Sequence, residues 1–248
     1  MTAEAMLLGF DLNLYAISFV VIVVAAVAQS SFGLGFGVVA APVLALIDPG
    51  MLPGPLLVLA MLTSLMVLIR DRKDVRFGNL SYALVGRVVA SVLGAFSASM
   101  LGEREFMMLF AVLILLAVAL SLTGRRVLPT RRNLFLAGSA SGYMGTITSV
   151  GTPPMALVYQ HSPGAEVRAN MSAFLTIGAL VSILSLMGFD AFDMTEMIFA
   201  VSLTPALVLG FLASGYIKTY IDNGWMRPSM LVLCVLASLT LLAKSLAL

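Results

Sequence analysis

The sequence predicts an all-α polytopic membrane protein made of two inverted repeats, each a broken helix or helical hairpin plus three transmembrane helices. Three observations predict this fold class: the composition, the number of long apolar runs, and a weak similarity between the two halves of the chain. Of the 248 residues, 60% are hydrophobic and only 10% are charged, whereas a soluble domain carries about 25% charged residues. A chain of this length cannot bury so much apolar surface in a core of its own. The composition therefore argues against a soluble enzyme, a nucleic-acid-binding protein and a disordered chain.

Eight apolar runs qualify as membrane segments, because a spanning helix needs about 20 apolar residues. They lie near residues 13–47, 51–69, 79–101, 106–123, 133–159, 169–188, 196–217 and 228–247. We divide the chain into a first repeat at 1–123, a basic cytoplasmic linker at 124–132 and a second repeat at 133–248. The residues before the first run contain two acids and no base, so we expect no cleaved signal peptide.

The first run, 13–47, is interrupted in its middle. A continuous helix of its 35 residues would be about 52 Å long, much longer than the roughly 30 Å hydrocarbon core. Residues 29–42 read Q-S-S-F-G-L-G-F-G-V-V-A-A-P, and glycine gives such a stretch backbone freedom. Non-helical backbone at membrane depth must be buried in protein or line a wet cavity, and N–H groups at a half-helix N-terminus favour an anion. The alternative is that the small residues only allow close helix packing.

The charged loops predict the orientation, because cytoplasmic loops are enriched in Lys and Arg. Loops 70–76 and 124–132 are strongly basic and are separated by two spans. If runs one and five are both hairpins, the loop and terminal Lys/Arg residues divide into eleven inside and two outside; with two single spans they divide nine to four. The charges favour hairpins by a small margin, so both forms stay open.

Arg87 lies within the third run, in F-G-N-L-S-Y-A-L-V-G-R-V-V-A. An arginine in a span is costly and is a functional hypothesis by default. If the helix begins at Phe77, Arg87 lies about 15 Å deep, where it could bind an oxyanion through two hydrogen bonds. If the helix begins near Tyr82, the side chain instead extends to the cytoplasmic face. The sequence leaves both alternatives open.

A second break interrupts the fifth run, where residues 141–154 read S-G-Y-M-G-T-I-T-S-V-G-T-P-P. Ser30–Pro42 aligns with Ser141–Pro153 without a gap. Shorter matches in the same order join 60–63 to 173–176 and 92–96 to 208–212. A hairpin plus three spans crosses the membrane five times, so the second half would be inverted. Inverted repeats with broken helices at matching positions are typical of secondary transporters, which bind substrate between them.

The predicted substrate contacts are polar side chains and glycines at the two breaks, together with the arginine of the third run. They are Gln29, Ser30, Ser31, Gly33, Gly35, Gly37, Arg87, Ser141, Tyr143, Thr146, Thr148, Ser149 and Thr152. Thr63 and Thr176 either line the path or bond back to their own helices. Asn170 and Ser172 are either helix caps or ligands. His161, the single histidine, either relays a proton or lies at the surface.

The duplicated Gly/Ser-rich break followed by proline resembles the sulfite exporter family, TauE/SafE. The length, the eight apolar runs and the two-fold repeat extend this resemblance over nearly the whole chain. It implies a transporter of the bacterial inner membrane that exports sulfite, sulfoacetate or other organosulfur anions. The family motif commonly reads G-x-G-G-G before the proline. Here the first half has G-L-G-F-G, and the second has Thr and Ser where glycines are common, which leaves the substrate open.

The breaks and the repeat predict a secondary transporter that binds an anion between two broken helices near the midplane, and the resemblance implies that it exports a small organosulfur anion. The alternatives are an anion channel and an uptake permease for another small anion. No Cys/His cluster has metal-ligand spacing and no P-loop is present, so we predict no metal and no cofactor. The serines near Gly142 have no histidine at helical spacing, so we predict that the chain is not an enzyme. The expected partners are the anion and the lipid bilayer, not nucleic acid, and a homodimer stays open.

Overall fold

The computed structural model describes residues 6–7, 10–33, 35–47, 51–122, 127–160 and 162–217, and seven further residues between 232 and 243. Helices make up almost all of this part, apart from a short hairpin that pairs β1 (Met6–Leu7) with β2 (Phe10–Asp11). Among the described residues, six helical segments are long and apolar enough to span a membrane. The predicted class, an all-α polytopic membrane protein, is confirmed.

The two halves have the same order of elements: a long helix, a break, a short helix and then further long helices. The first half contains α1 (Leu12–Phe32), α2 (Phe36–Ile47), α3 (Gly54–Asp71), a 3-10 turn (Arg72–Asp74), α4 (Phe77–Met100) and α5 (Glu103–Leu122). The second contains α6 (Arg131–Thr148), α7 (Thr152–Tyr159), α8 (Gly164–Gly188), α9 (Met194–Ser202) and α10 (Thr204–Ile217). α9 and α10 together form one span, Met194–Gly215. Most of the eighth predicted run, 228–247, lies outside the described residues.

Both breaks are points at which the chain reverses direction. After α2, Met51 lies beside Ser18 near the start of α1, and the Ser18 hydroxyl donates to the Met51 sulfur over 3.5 Å. After α6, the Gly151 carbonyl accepts a hydrogen bond from Ser141, two helical turns before the end of that helix. The chain therefore folds back at each break, as the hairpin alternative predicts.

An ion pair joins the loop 70–76 to the loop that ends at Arg168. The count of loop charges left open whether these two loops lie on the same side of the membrane. The Arg168 Nε atom lies 3.2 Å from Asp71 Oδ2. The neighbouring Arg76 N–H donates to Asn170 Oδ1 over 2.7 Å. The end of α3 and the start of α8 are therefore at the same end of the helix bundle. A single crossing by the fifth run would have placed them at opposite ends.

The helix ends relate the two halves in a register that differs from the sequence alignment. Gly33 and Ser149 both have left-handed backbones, with φ of 74° and 59°, and each N–H bonds the carbonyl four residues earlier. These two cap residues, and the helix starts Phe36 and Thr152, are separated by 116 residues. The ungapped alignment of the breaks uses an offset of 111 and is five residues out of this register. The ungapped alignment matches the recurring Gly, Ser and Pro residues of the two breaks. The position at which each helix ends is instead given by its left-handed cap residue.

The helices of the two halves also pack against one another in matching pairs. α4 packs along α6, α1 packs along α10, and α3 packs against α8. The α4–α6 contact is made backbone to backbone, because Gly86 faces the Phe135 carbonyl, Gly138 faces the Ala83 carbonyl, and Gly142 faces the Arg87 carbonyl. Close approach of this kind needs residues without side chains. The inversion of the second half relative to the first stays a prediction.

Candidate functional site

A small cavity lies between the two breaks, at the points where α2 and α7 begin. α3 and α8 form its side walls. Its lining residues are Gln29, Phe36, Gly37, Leu57, Ala60, Ser64, Arg87, Gly145, Ser149, Gly151, Thr152, Leu175 and Ala179. Five of the predicted contact residues, Gln29, Gly37, Arg87, Ser149 and Thr152, are therefore brought together.

Arg87 lies in the interior and not at a membrane face. α4 begins at Phe77, the start that predicts a deep position, and Arg87 is only 2% exposed. Its Nη1 atom donates to Ser141 Oγ over 2.7 Å and to the Ser141 carbonyl over 3.3 Å. The guanidinium lies 4.8 Å from the centre of the Phe174 ring, a favourable cation–π distance. Its Nε atom has no hydrogen-bond partner in the part of the chain that the structure describes.

The space for this guanidinium is provided by glycines. A Cβ atom at Gly178 of α8 would overlap the Arg87 side chain. A Cβ atom at Gly151 would lie 2.8 Å from Nη1, and one at Gly145 would lie 3.3 Å from Nη2. Glycines in α6, in α8 and in the second break therefore leave the room that the Arg87 side chain of α4 occupies.

No carboxylate among the described residues balances the charge of Arg87. Within the described part of the chain it is the one charged side chain that is buried, and the two ion pairs found there involve Asp71 instead. An unpaired charge in the interior costs several kcal/mol. An anion in the cavity would supply the missing counter-charge.

Gln29 organises the first break. Its Oε1 atom accepts from the N–H of Phe36, the first residue of α2, over 3.3 Å. Its Nε2 atom donates to Ser64 Oγ over 3.2 Å and lies 3.4 Å from the Gly33 carbonyl. The side chain thus holds the N-terminus of α2 at the cavity, where the helix dipole adds partial positive charge.

Ser149 organises the second break. Its hydroxyl donates to the Pro53 carbonyl over 3.2 Å, which ties this break to the start of α3. The Ser149 carbonyl packs on Gly37 of α2, where a side chain would not fit. The neighbouring Thr148 hydroxyl accepts from the Val150 N–H over 3.1 Å. The N-termini of α2 and α7 are consequently held next to each other.

Eight of the predicted contact residues do not line the cavity. Ser141 lies behind Arg87 and holds it in place. Tyr143 reaches Ser97, and Thr146 joins the buried Ser182 hydroxyl over 2.7 Å. The others are Ser30, Ser31, Gly33, Gly35 and Thr148.

The structure decides some of the alternatives that the sequence left open. The hydroxyls of Thr63 and Thr176 donate to carbonyls of their own helices, over 2.8 and 2.7 Å. Asn170 accepts from the backbone of Arg76 before α4 and so acts as a cap across two helices. His161 lies outside the described residues.

Several cavity residues were missed by the sequence reasoning. Leu57, Ala60 and Ser64 follow one face of α3 at intervals of three and four residues, and Leu175 and Ala179 are one turn apart on α8. Such spacing marks a helix face, but most of these residues are apolar in an apolar span. Of these five residues, only Ser64 has a polar side chain. The described residues contain no group of three or more His, Cys, Asp or Glu side chains that could hold a metal ion.

The fold and the comparisons define the class of protein. The sequence pattern of the family described as sulfite exporter TauE/SafE matches residues 18–241, most of the chain. Together with the six candidate spans, this match defines a multi-pass membrane transporter. The chain belongs to the sulfite exporter TauE/SafE family, as the resemblance of its breaks predicted. Comparisons with curated proteins and with solved structures gave no match.

Proposed function

We propose that this chain exports small organosulfur anions, sulfite or sulfonates, across the bacterial inner membrane, and that it binds them in the cavity between the breaks. The observation that carries this proposal is Arg87, a buried cation that lines the cavity and has no carboxylate partner among the described residues. A sulfite or sulfonate group offers several acceptor oxygens to a guanidinium, and such charge-assisted hydrogen bonds are about twice as strong as neutral ones.

The two half-helices support the same ligand. Phe36 and Gly37 at the start of α2 and Thr152 at the start of α7 line the cavity together with Arg87. Helix N-termini carry partial positive charge, and half-helix N-termini near the midplane bind anionic groups in other transporter folds. Apolar walls from Leu57 and Leu175 exclude water and strengthen these interactions.

Export of an anion does not require a coupled ion. An inside-negative membrane potential drives an anion outwards by about 2.3 kcal/mol per charge for every 100 mV. The described lining residues contain no carboxylate that could carry a proton or sodium ion. We therefore propose potential-driven export.

Ligand-dependent thermal unfolding of the purified protein is the first test, because a ligand that binds the native state stabilises it by mass action. The panel contains sulfite, sulfoacetate, isethionate, taurine, sulfate, phosphate and acetate. We expect sulfite or sulfonates to stabilise the wild type clearly more than Arg87→Gln. A shift with acetate alone, or an equal sulfite shift in both proteins, would refute the proposed ligand or the proposed site.

Flux measurements in proteoliposomes separate a carrier from a channel. A carrier saturates and shows counterflow of labelled sulfite against an unlabelled gradient. We expect both. Linear flux without counterflow would instead support the anion channel.

A further inference from the structure

A second polar cluster lies at the end of the bundle where α3 ends and α8 begins. Arg70 Nε contacts Asp71 Oδ1 at 2.9 Å, and Arg168 Nε contacts Asp71 Oδ2 at 3.2 Å. Two guanidinium groups therefore share one carboxylate, and the cluster keeps a net positive charge. Its side chains are partly exposed, at 35% for Arg70, 20% for Arg168 and 13% for Asp71.

The last turn of α1 packs against both arginines. Arg70 Nη2 donates to the Ser30 carbonyl over 2.8 Å. Gly33 lies so close to α8 that a Cβ atom there would be 2.7 Å from the Arg168 Cα. The turn that leads into the first break is therefore in contact with the charged cluster.

Three buried hydroxyls in this region have no hydrogen-bond partner among the described residues. Ser30 and Ser31 lie in that last turn of α1 and are 1% and 3% exposed. Ser172 is fully buried and lies one helical turn after Arg168, on the same face of α8. Buried polar groups are normally paired, and each exception needs an explanation. Of the three exceptions here, Ser172 follows Arg168 by one turn, and Ser30 and Ser31 lie in the turn whose Ser30 carbonyl accepts from Arg70.

We propose that Arg70, Arg168, Ser30, Ser31 and Ser172 form a second anion-binding site, here called the mouth site. The guanidinium groups supply the charge, and the three hydroxyls supply neutral donors that suit the oxygens of a small oxyanion. The net positive charge favours an anion over a cation. The inference rests on the proposed function in one respect, since it takes the bound anion to be the transported one on its way to Arg87.

Equilibrium binding of radiolabelled sulfite to the full-length purified chain tests the mouth site. The proteins are the wild type, Arg87→Gln, and Arg87→Gln combined with either Ser172→Ala or Ser185→Ala. Ser185 is the matched control, because it is on the same helix and its hydroxyl already donates to the Val181 carbonyl over 2.8 Å. We expect two sulfite ions per wild-type chain and one per Arg87→Gln chain. Ser172→Ala should weaken the remaining site about tenfold, the equivalent of one charge-assisted hydrogen bond, and Ser185→Ala should not.

The outcomes separate this inference from the proposed function. One sulfite in the wild type and none in Arg87→Gln would overturn the mouth site and leave the central site intact. One sulfite in both proteins, weakened by Ser172→Ala, would support the mouth site and overturn the central one. If Ser172→Ala raises the thermal stability without changing sulfite binding, water is the partner of that hydroxyl and the mouth site is overturned.

Discussion

Replacing Gly178 by alanine tests whether the position of Arg87 depends on a missing side chain. The new methyl group would overlap the Nε, Cδ and Cζ atoms of Arg87. Non-bonded carbon atoms need about 3.5–4.0 Å, so the guanidinium must move by roughly 2 Å. Its 2.7 Å hydrogen bond to Ser141 Oγ would then be lost, because hydrogen bonds do not extend beyond about 3.5 Å.

The free-energy cost of this change follows from three contributions. Overpacking costs about 1–3 kcal/mol, and the lost hydrogen bond of a charged group costs about 1.5–3 kcal/mol. Alanine returns about 1 kcal/mol of helix propensity relative to glycine. We therefore expect Gly178→Ala to lower the free energy of unfolding by at least about 1.5 kcal/mol. Its stabilisation by sulfite or sulfonates should fall to that of Arg87→Gln.

Gly188→Ala is the control, because Gly188 ends the same helix and a Cβ atom there meets no other atom within 4 Å. Only the propensity contribution applies to it, so its stability should rise slightly and its anion response should match the wild type. Both variants are compared by thermal unfolding with and without the anion panel. If Gly178→Ala behaves like Gly188→Ala in both measurements, the placement of Arg87 against α8 is wrong.

Three further substitutions have defined expectations. Arg87→Lys keeps the charge but loses the planar guanidinium, whose nitrogens reach Ser141 and the cavity together. We expect an anion affinity at least about tenfold weaker in titrations followed by thermal unfolding. An unchanged affinity would argue against recognition of the anion by the guanidinium. Asp71→Asn removes the carboxylate shared by Arg70 and Arg168, and the free energy of unfolding should fall by no more than about 1 kcal/mol, since both ion pairs are partly exposed. In the Arg87→Gln background the same change should strengthen sulfite binding, and weaker binding there would contradict the mouth site. At Ser149, where φ is 59°, replacement by Gly or by Ala removes the hydrogen bond to Pro53, but only Gly relieves the strain of a left-handed backbone. Ser149→Gly should therefore be more stable than Ser149→Ala by about 1 kcal/mol in denaturation experiments. A more stable Ser149→Ala, as helix propensity alone would give, would show that this strain is absent.

Hydropathy and small residues predicted the spans and the breaks because both depend on local physics. A run of apolar residues must be helical in lipid, and a cluster such as G-L-G-F-G breaks a helix wherever it lies. The fold-back at each break was favoured by loop charges, but by few of them. The ion pair between Asp71 and Arg168, residues 97 positions apart, decides the question for the second break, and no local pattern contains it.

The depth of Arg87 could not be predicted for a related reason. It depends on where α4 begins, and Asn170 of α8 binds the backbone N–H of Arg76 just before that start. The cap therefore comes from the other half of the chain. In the same way, Ser30 and Ser31 belong to the break by sequence but do not line the cavity, and the Ser30 carbonyl accepts from Arg70 instead, because helix rotation is set by tertiary packing.

The seam between α4 and α6 also has a consequence for biosynthesis. The residue that holds Arg87, Ser141, follows it by 54 positions, so α4 reaches the bilayer before its partner does. At about 5–20 residues per second, that interval lasts roughly 3–11 seconds. An unaccompanied arginine at the centre of a span opposes insertion by about 2.5–3.5 kcal/mol. The apolar residues of Leu80–Met100, with a mean hydropathy of 1.6, must therefore carry α4 into the membrane before the glycines of α6 arrive to enclose its charge.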